Sequence, residues 1–247
     1  MMFVRLPRLP GTLARGAVRA GALAAALALA ACASPTSRFY TLGDVSGGAS
    51  AAASGVRSAA AAPAWLIEVA PIDVPPQVAK TQLVVQTGPT QVKVLEQERW
   101  ASLPGDELRR SLSTSLTQQL DTIDVYGTAY SDATPVYRVS MNVQRFESWP
   151  GSHALIDAVW SVRAVRSTAV MTCRSVVSEP VGGGYDALVD GHRQALQRVS
   201  AQVAAAVRAM AASAPAAPAA ASQAGKGVAR ATVPGLSCGG GWGGGWG

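Results

Sequence analysis

The sequence predicts an α+β fold: an antiparallel β-sheet backed by two helices in a single domain. The sheet is expected to be a meander of three long strands plus shorter strands ahead of it. Two patterns predict this. Between residues 137 and 177 three successive segments alternate apolar and polar side chains with a period of two, as strands with one buried face do. Before and after them, apolar residues recur at helical spacing: Leu108, Leu112, Leu116 and Leu120, then Leu188, His192, Ala195, Leu196, Val199, Val203, Val207 and Met210.

The elements follow in order. Ordered structure is predicted to begin at Trp65. Residues 65–70 are β-rich and stop at Pro71, and Val74-Pro75-Pro76 forces an extended turn. Thr81–Gln86 and Val92–Leu95 read as short strands on either side of the turn dipeptide Gly88-Pro89. Pro104 suits a first helical turn, and Asp106 and Glu107 favour the positive end of that helix. Ile123 and Val125 suggest a brief strand beyond it. In the first long strand Tyr137, Val139, Met141 and Val143 share a face, and Phe146 breaks that parity, so a bulge is expected near Gln144-Arg145. Ile156, Ala158, Trp160, Val162 and Ala164 form the apolar face of the second strand. Ala169, Met171, Cys173 and Val177, with Ser175 among them, form that of the third. Pro150-Gly151 and Arg166-Ser167-Thr168 supply the turns, and Gly182-Gly183-Gly184 leads into the last helix near Tyr185.

Both flanks differ in composition from this core. Residues 1–31 read as a secretory signal: arginines without acids, then an apolar run from Gly21 to Leu29 that is too short to cross a bilayer. The run ends in Leu29-Ala30-Ala31-Cys32, which matches the lipobox of bacterial lipoprotein precursors. Small residues fit the peptidase cleft, and a thiol at the cleavage site can become a thioether to diacylglycerol. Cys32 is therefore the predicted lipidation site. By the sorting rules of such lipoproteins, Ala33 in the next position favours the outer membrane over the inner. Residues 32–64 read as the lipidated N-terminus and a Gly/Ser/Ala tether. Across 43–64 that tether would span about 25 Å as a flexible chain and let the domain stand off the bilayer. Residues 65–210 form the predicted domain, and 211–247 an Ala/Pro/Gly/Trp tail too poor in large apolar residues to fold. The tail's Trp242 and Trp246 could stack on glycan or dip into a bilayer interface, or could have no function.

The formal charge of +6 belongs to the ends, because residues 65–210 carry 13 basic and 14 acidic side chains. An electrostatic nucleic-acid footprint is excluded for the domain. The groups needed for catalysis are also scarce. The chain has two histidines: His153 reads as a solvated turn residue and His192 as one packed on the apolar side of the last helix. The sequence has no Gly-x-Ser-x-Gly elbow and no short metal-ligand spacing. The triple glycine lacks the Lys and Ser/Thr of a phosphate loop, and Asp121 and Asp124 read as solvated residues flanking a helix end. No enzyme, metal or cofactor is predicted. A periplasmic disulfide is permitted, yet Cys173 in a strand and Cys238 in a glycine-rich tail read as two unrelated thiols. Trp160 is expected in the core, whereas Trp100 could be core or a contact residue. Phe39-Tyr40-Thr41-Leu42 is an apolar island that could pair with a sheet edge, dock on the domain or meet a partner.

Five pieces, in order, resemble the PqiC family, also described as ABC-type transport auxiliary lipoproteins. They are Phe39-Tyr40-Thr41-Leu42, Pro71-Ile72-Asp73-Val74-Pro75, Gln82-Leu83-Val84, Glu98-Arg99-Trp100-Ala101 and Ala195-Leu196. The tether 43–64 is longer than the family pattern, Gln77-Val78-Ala79 lacks its usual aromatic character, and the tail has no counterpart. The resemblance implies a compact α/β domain with an antiparallel sheet and two helices. It also implies work beside an MCE-type lipid transport system, with an MCE-domain protein and an ABC permease and ATPase as partners. Some relatives form rings, which implies a homo-oligomer. The rival expectation is a structural envelope lipoprotein that binds another outer-membrane assembly.

Overall fold

The computed structural model describes residues 36–43 and 63–213. The predicted signal segment, Cys32, Cys238, Trp242, Trp246 and nearly all of the linker and tail lie outside them. The described residues from Arg38 onward belong to one compact unit, in which β1 (Arg38–Tyr40), β2 (Leu66–Val69), β3 (Gln82–Gly88) and β4 (Gln91–Trp100) precede helix α1 (Pro104–Leu120). Then come β5 (Val136–Trp149), β6 (His153–Ala164), β7 (Val170–Pro180) and helix α2 (Tyr185–Ser213).

Strands β5, β6 and β7 form the expected antiparallel meander. The bulge falls where Phe146 breaks parity: the β5–β6 register shifts between Val143 and Arg145. Buried positions accordingly run Tyr137, Val139, Met141, Val143 and then Phe146, Ser148. The extra residue turns the second half of the strand over, so both halves bury their apolar side chains. Trp160 is buried and its indole N–H donates to Ser175 Oγ at 2.8 Å, so the one hydroxyl on that face of β7 serves the one ring that needs an acceptor.

Both helices lie where the spacing predicts. α1 begins at Pro104 and buries Leu108, Leu112, Leu116 and Leu120, and its C-cap Asp121 takes a left-handed backbone at φ 47°. α2 buries every residue of the predicted stripe and runs to Ser213, slightly past the expected end. Two glycines permit close approach. A Cβ on Gly105 would stand 2.6 Å from the carbonyl oxygen of Ile72, and one on Gly191 would stand 2.3 Å from Val181 Cγ1 and 2.9 Å from Ala154 Cβ.

The sheet departs from expectation in its pairing. There are two sheets, in the orders β1-β4-β3 and β2-β5-β6-β7, and each has a parallel strand at one edge. β1 runs parallel to the end of β4, and β2 runs parallel to the start of β5. β4 also continues to Trp100, past the predicted stop at Leu95. Glu96, Glu98 and Arg99 hide the strand from an apolar count; the β3–β4 register shifts across this stretch, and Glu98 and Arg99 pair with Arg38 and Phe39 of β1. Ile123 and Val125 do not form a strand. Asp124 between them makes a single bridge to Ile67.

Three expectations need correction. Residues 43–64 were expected to hold the domain away from its anchor, but β1 already pairs within the domain. That stretch therefore links two strands of one unit and does not link the unit to Cys32. Asp124 is not solvated: its carboxylate accepts from the Val69 and Tyr126 amides at 3.1 and 3.0 Å and from Ser113 Oγ at 2.6 Å. Cys173 is disulfide-bonded, so it is not an unrelated thiol.

Candidate functional site

The most elaborate polar arrangement in the fold holds the segment Arg38–Gly43. β1 aligns Arg38 with Glu98, Phe39 with Arg99 and Tyr40 with Trp100. Alternation then sends Phe39 outward, where it is 66% exposed, and Tyr40 inward. The tyrosine hydroxyl donates to Glu98 Oε2 at 2.7 Å, and Arg38 donates through Nε and Nη2 to the same carboxylate at 2.6–3.1 Å. The Arg38 hydrogen bond, reinforced by Tyr40, holds the Glu98 carboxyl below its usual range against the opposing effect of burial. Burial first, and then the bond to Glu98, pushes the Tyr40 phenol upward.

A second carboxylate fixes the next two residues. Glu107, in the first turn of α1, is 1% exposed. Its Oε2 accepts from Thr41 Oγ1 at 2.7 Å and from the Leu42 amide at 3.0 Å, while Oε1 accepts from Ser102 Oγ at 2.7 Å and Arg110 Nη2 at 2.6 Å. Burial alone would raise this carboxyl, but the bonds from Ser102, Thr41 and Leu42, with Arg110, outweigh it and hold it below its ordinary value. The helix N-terminus favours the same negative charge. From α2, Arg193 donates to the Thr41 carbonyl at 3.1 Å and the Leu42 carbonyl at 3.4 Å. Ser111 Oγ donates to the Leu42 carbonyl at 3.3 Å, and the Ala101 amide to the Tyr40 carbonyl at 2.7 Å. Leu42 itself is fully buried. Strand β4 and both helices thus grip six residues of chain.

Of the residues expected to offer contacts, Tyr40, Leu42 and Trp100 spend their surfaces inside the chain, and Phe39 remains outside. Trp100 is a core residue. It meets Phe146 edge-on at 5.9 Å and His192 at 6.4 Å. His192 stacks on Phe146 at 4.0 Å, and its Nε2 shares a 2.8 Å hydrogen bond with Ser148 Oγ, itself buried. Burial pushes the imidazole down to about 3, so it is neutral across the physiological range. A serine and histidine in hydrogen-bond contact otherwise suggest nucleophilic chemistry. Here both are sealed among aromatic rings, and the arrangement is a packed core pair. His153 begins β6, stacked on Trp149 at 5.7 Å with Nδ1 against Ser152 Oγ at 2.9 Å. Gly182–Gly184 form the turn into α2, with Gly184 at φ 97°.

An open cleft of about 160 Å³ lies between Tyr130, Pro135 and Tyr137 on one side and Val165 and Arg166 on the other. It is smaller than sites that enclose a ligand. Among the described residues no group of His, Cys, Asp and Glu could hold a metal ion, and no helix is long and apolar enough to cross a membrane.

Sequence reasoning found the aromatic island but missed Glu98 and Glu107 as its receptors. Each lies more than fifty residues away in the chain, and a single buried acid leaves no periodic trace. The available signal was Glu107 itself, an acid next to a fully apolar stripe position.

A family model described as the ABC-type transport auxiliary lipoprotein component matches residues 49–204. Among solved structures, an uncharacterised protein is 20% identical, with a TM-score of 0.54 over 70% of this chain and 99% of that one. A Xanthomonas campestris protein of the DUF330 family is 19% identical, with a TM-score of 0.49 over 60% of this chain and 87% of that one. The first likeness shows the shared fold. No curated protein matches the sequence.

Proposed function

Because the chain belongs to the family of ABC-type transport auxiliary lipoprotein components, we propose that it is a non-catalytic accessory subunit of an MCE/ABC-type intermembrane lipid transport system. In this reading it is acylated at Cys32 and held at the periplasmic face of the outer membrane. The family is one of transport components and not of enzymes. The observation that carries the reading is the gripped segment Arg38–Leu42, which begins six residues after Cys32. Six residues are too few to decouple the anchor from the domain. Any load on the acyl chains passes through β1 into Glu98, Glu107 and Arg193, and so into the core.

The mechanism is positional. Two or three acyl chains hold firmly where one is marginal, at about 0.8 kcal/mol per buried methylene. The moored domain, as a monomer or as a ring of copies, offers a fixed outer end to the MCE-domain protein, whose inner end meets the permease and ATPase. The test is mild crosslinking in native membranes followed by purification of the tagged full chain. Recovery of MCE or permease subunits supports the proposal. Reproducible recovery of a different outer-membrane assembly, with none of these, would favour the structural envelope role. Cys32→Ser is expected to leave unprocessed, unacylated precursor, and a normally processed and acylated variant would remove the anchor from the argument.

A further inference from the structure

We infer that the β3–β4 hairpin is the end of the domain that rests on the lipid surface, and that the link from Cys32 to Arg38, not the stretch 44–62, sets the distance to it. The inference rests on acylation at Cys32.

The direction of β1 is the first argument. It runs parallel to β4, with Arg38 beside Glu98 and Tyr40 beside Trp100, so its N-terminal end faces the β3–β4 turn. Length is the second. The six steps from Cys32 to Arg38 span at most about 20 Å when fully extended. From Glu98 back to Gln91 along β4 is seven steps, or about 24 Å at the rise of an antiparallel strand. If the link follows the strand direction, even at full stretch, it brings the acylated end only about as far as the hairpin turn. If it bends aside, the bilayer comes still closer to Arg38. With the link directed along β4, as β1 is, a membrane that holds the acyl chains therefore meets the hairpin.

The chemistry of the hairpin fits that surface. From Thr81 to Leu95 the only charged side chain is Lys93. Residues Pro89–Val94 are all exposed, including Val92 and Val94 beside that lysine. Two apolar side chains and one cation suit the interface of a bilayer with anionic headgroups. β1 covers only the last residues of β4, from Glu98 to Trp100, so it leaves the turn end uncovered.

The experiment uses the acylated full chain bound to phosphatidylethanolamine/phosphatidylglycerol vesicles that contain a headgroup-nitroxide lipid. An encoded fluorescent amino acid replaces exposed Thr90 at the turn or, in a second protein, Leu103 beyond the opposite end of β4. The Thr90 probe is expected to be quenched and the Leu103 probe to stay bright. A Gly/Ser insertion that doubles the Cys32–Arg38 link is expected to relieve the quenching, whereas the same insertion within 44–62 leaves it unchanged. Vesicle-bound, acylated protein with an unquenched Thr90 probe would overturn the inference, as would relief by the insertion within 44–62. Protein that neither floats with vesicles nor carries acyl mass would overturn the anchor reading itself, and the inference with it.

Discussion

Replacing Glu107 with alanine tests whether the segment Arg38–Leu42 is truly built into the fold. The side chain is almost wholly buried and accepts four hydrogen bonds, from Thr41, Leu42, Ser102 and Arg110. Truncation would leave two hydroxyls, one backbone amide and one guanidinium without their acceptor. Breaking a buried charged pair by removing one partner costs about 3–5 kcal/mol. Arg110 is mostly exposed and can turn to water, so the lower end, about 3 kcal/mol, is the expected value. For a domain of this size that is a fall of about 6–12 °C in Tm. The assay is urea denaturation with trypsin digestion under native conditions. Trypsin cuts after arginine, and the Arg38–Phe39 bond lies within β1, so released β1 is cut while docked β1 is protected. Glu107→Gln keeps one acceptor oxygen and is expected to fall between the two. If Glu107→Ala keeps the wild-type midpoint and an uncut Arg38–Phe39 bond, Glu107 does not hold the segment and load transfer through it from anchor to core fails as an idea.

Three further outcomes follow from the core. Trp160→Ala is expected to cost about 3–5 kcal/mol, because it empties a buried site and strips Ser175 of its donor; an unchanged melting temperature would contradict the strand parity. Gly191→Ala would ordinarily favour a helix by up to about 1 kcal/mol, but the new Cβ meets Val181 and Ala154. Overpacking of about 1–3 kcal/mol is expected to prevail, with partial recovery when Val181→Ala is added, both read by thermal melting. His192 is held down to about 3 in the fold by burial, against about 6.5 when unfolded. The unfolded chain therefore binds the extra proton between those values, and stability falls as pH drops below about 6.5, by up to about 1.4 kcal/mol per unit. Urea midpoints between pH 6.5 and 5, above the usual carboxylate range, are expected to show that slope in the wild type and a flatter one in His192→Gln.

The sequence made legible what depends on local periodicity. The parity change at Phe146 located the bulge, the four leucines located α1, and the stripe from Leu188 to Met210 located α2. Partner choice was not legible. Nothing within Arg38–Tyr40 names Glu98–Trp100 as its neighbour, because parallel pairing is closed by long loops and leaves no turn signature. β4 was cut short at Leu95 because its later residues are charged, although Glu98 is mostly enclosed by Arg38 and Tyr40. Asp124 illustrates the same limit: a helix-end acid looks solvated until the Val69 amide and Ser113 are brought to it. The island Phe39–Leu42 precedes the stretch that the family model matches, and its role came into view only with its receptors.

Two connections leave β1, and their consequences are opposite. The longer one, 44–62, joins β1 to β2, both of them strands of the same unit. Lengthening a closed loop costs little, about 0.6 kcal/mol per doubling, so its low-complexity composition is tolerated without changing where anything sits. If Cys32 is acylated as proposed, the shorter one, from Cys32 to Arg38, is in series with the anchor, and each residue added there adds up to about 3.5 Å between bilayer and domain. A moored subunit that must present a fixed end to a partner gains nothing from slack in the second connection and loses nothing from slack in the first. The grip of Glu98, Glu107 and Arg193 on Arg38–Leu42 is what separates the two. Without it the connections would merge into one chain of about thirty residues, with a typical span of roughly 30 Å in place of a short leash. In the proposed reading, positional function therefore depends on two carboxylates and an arginine whose described bonds are made within the domain.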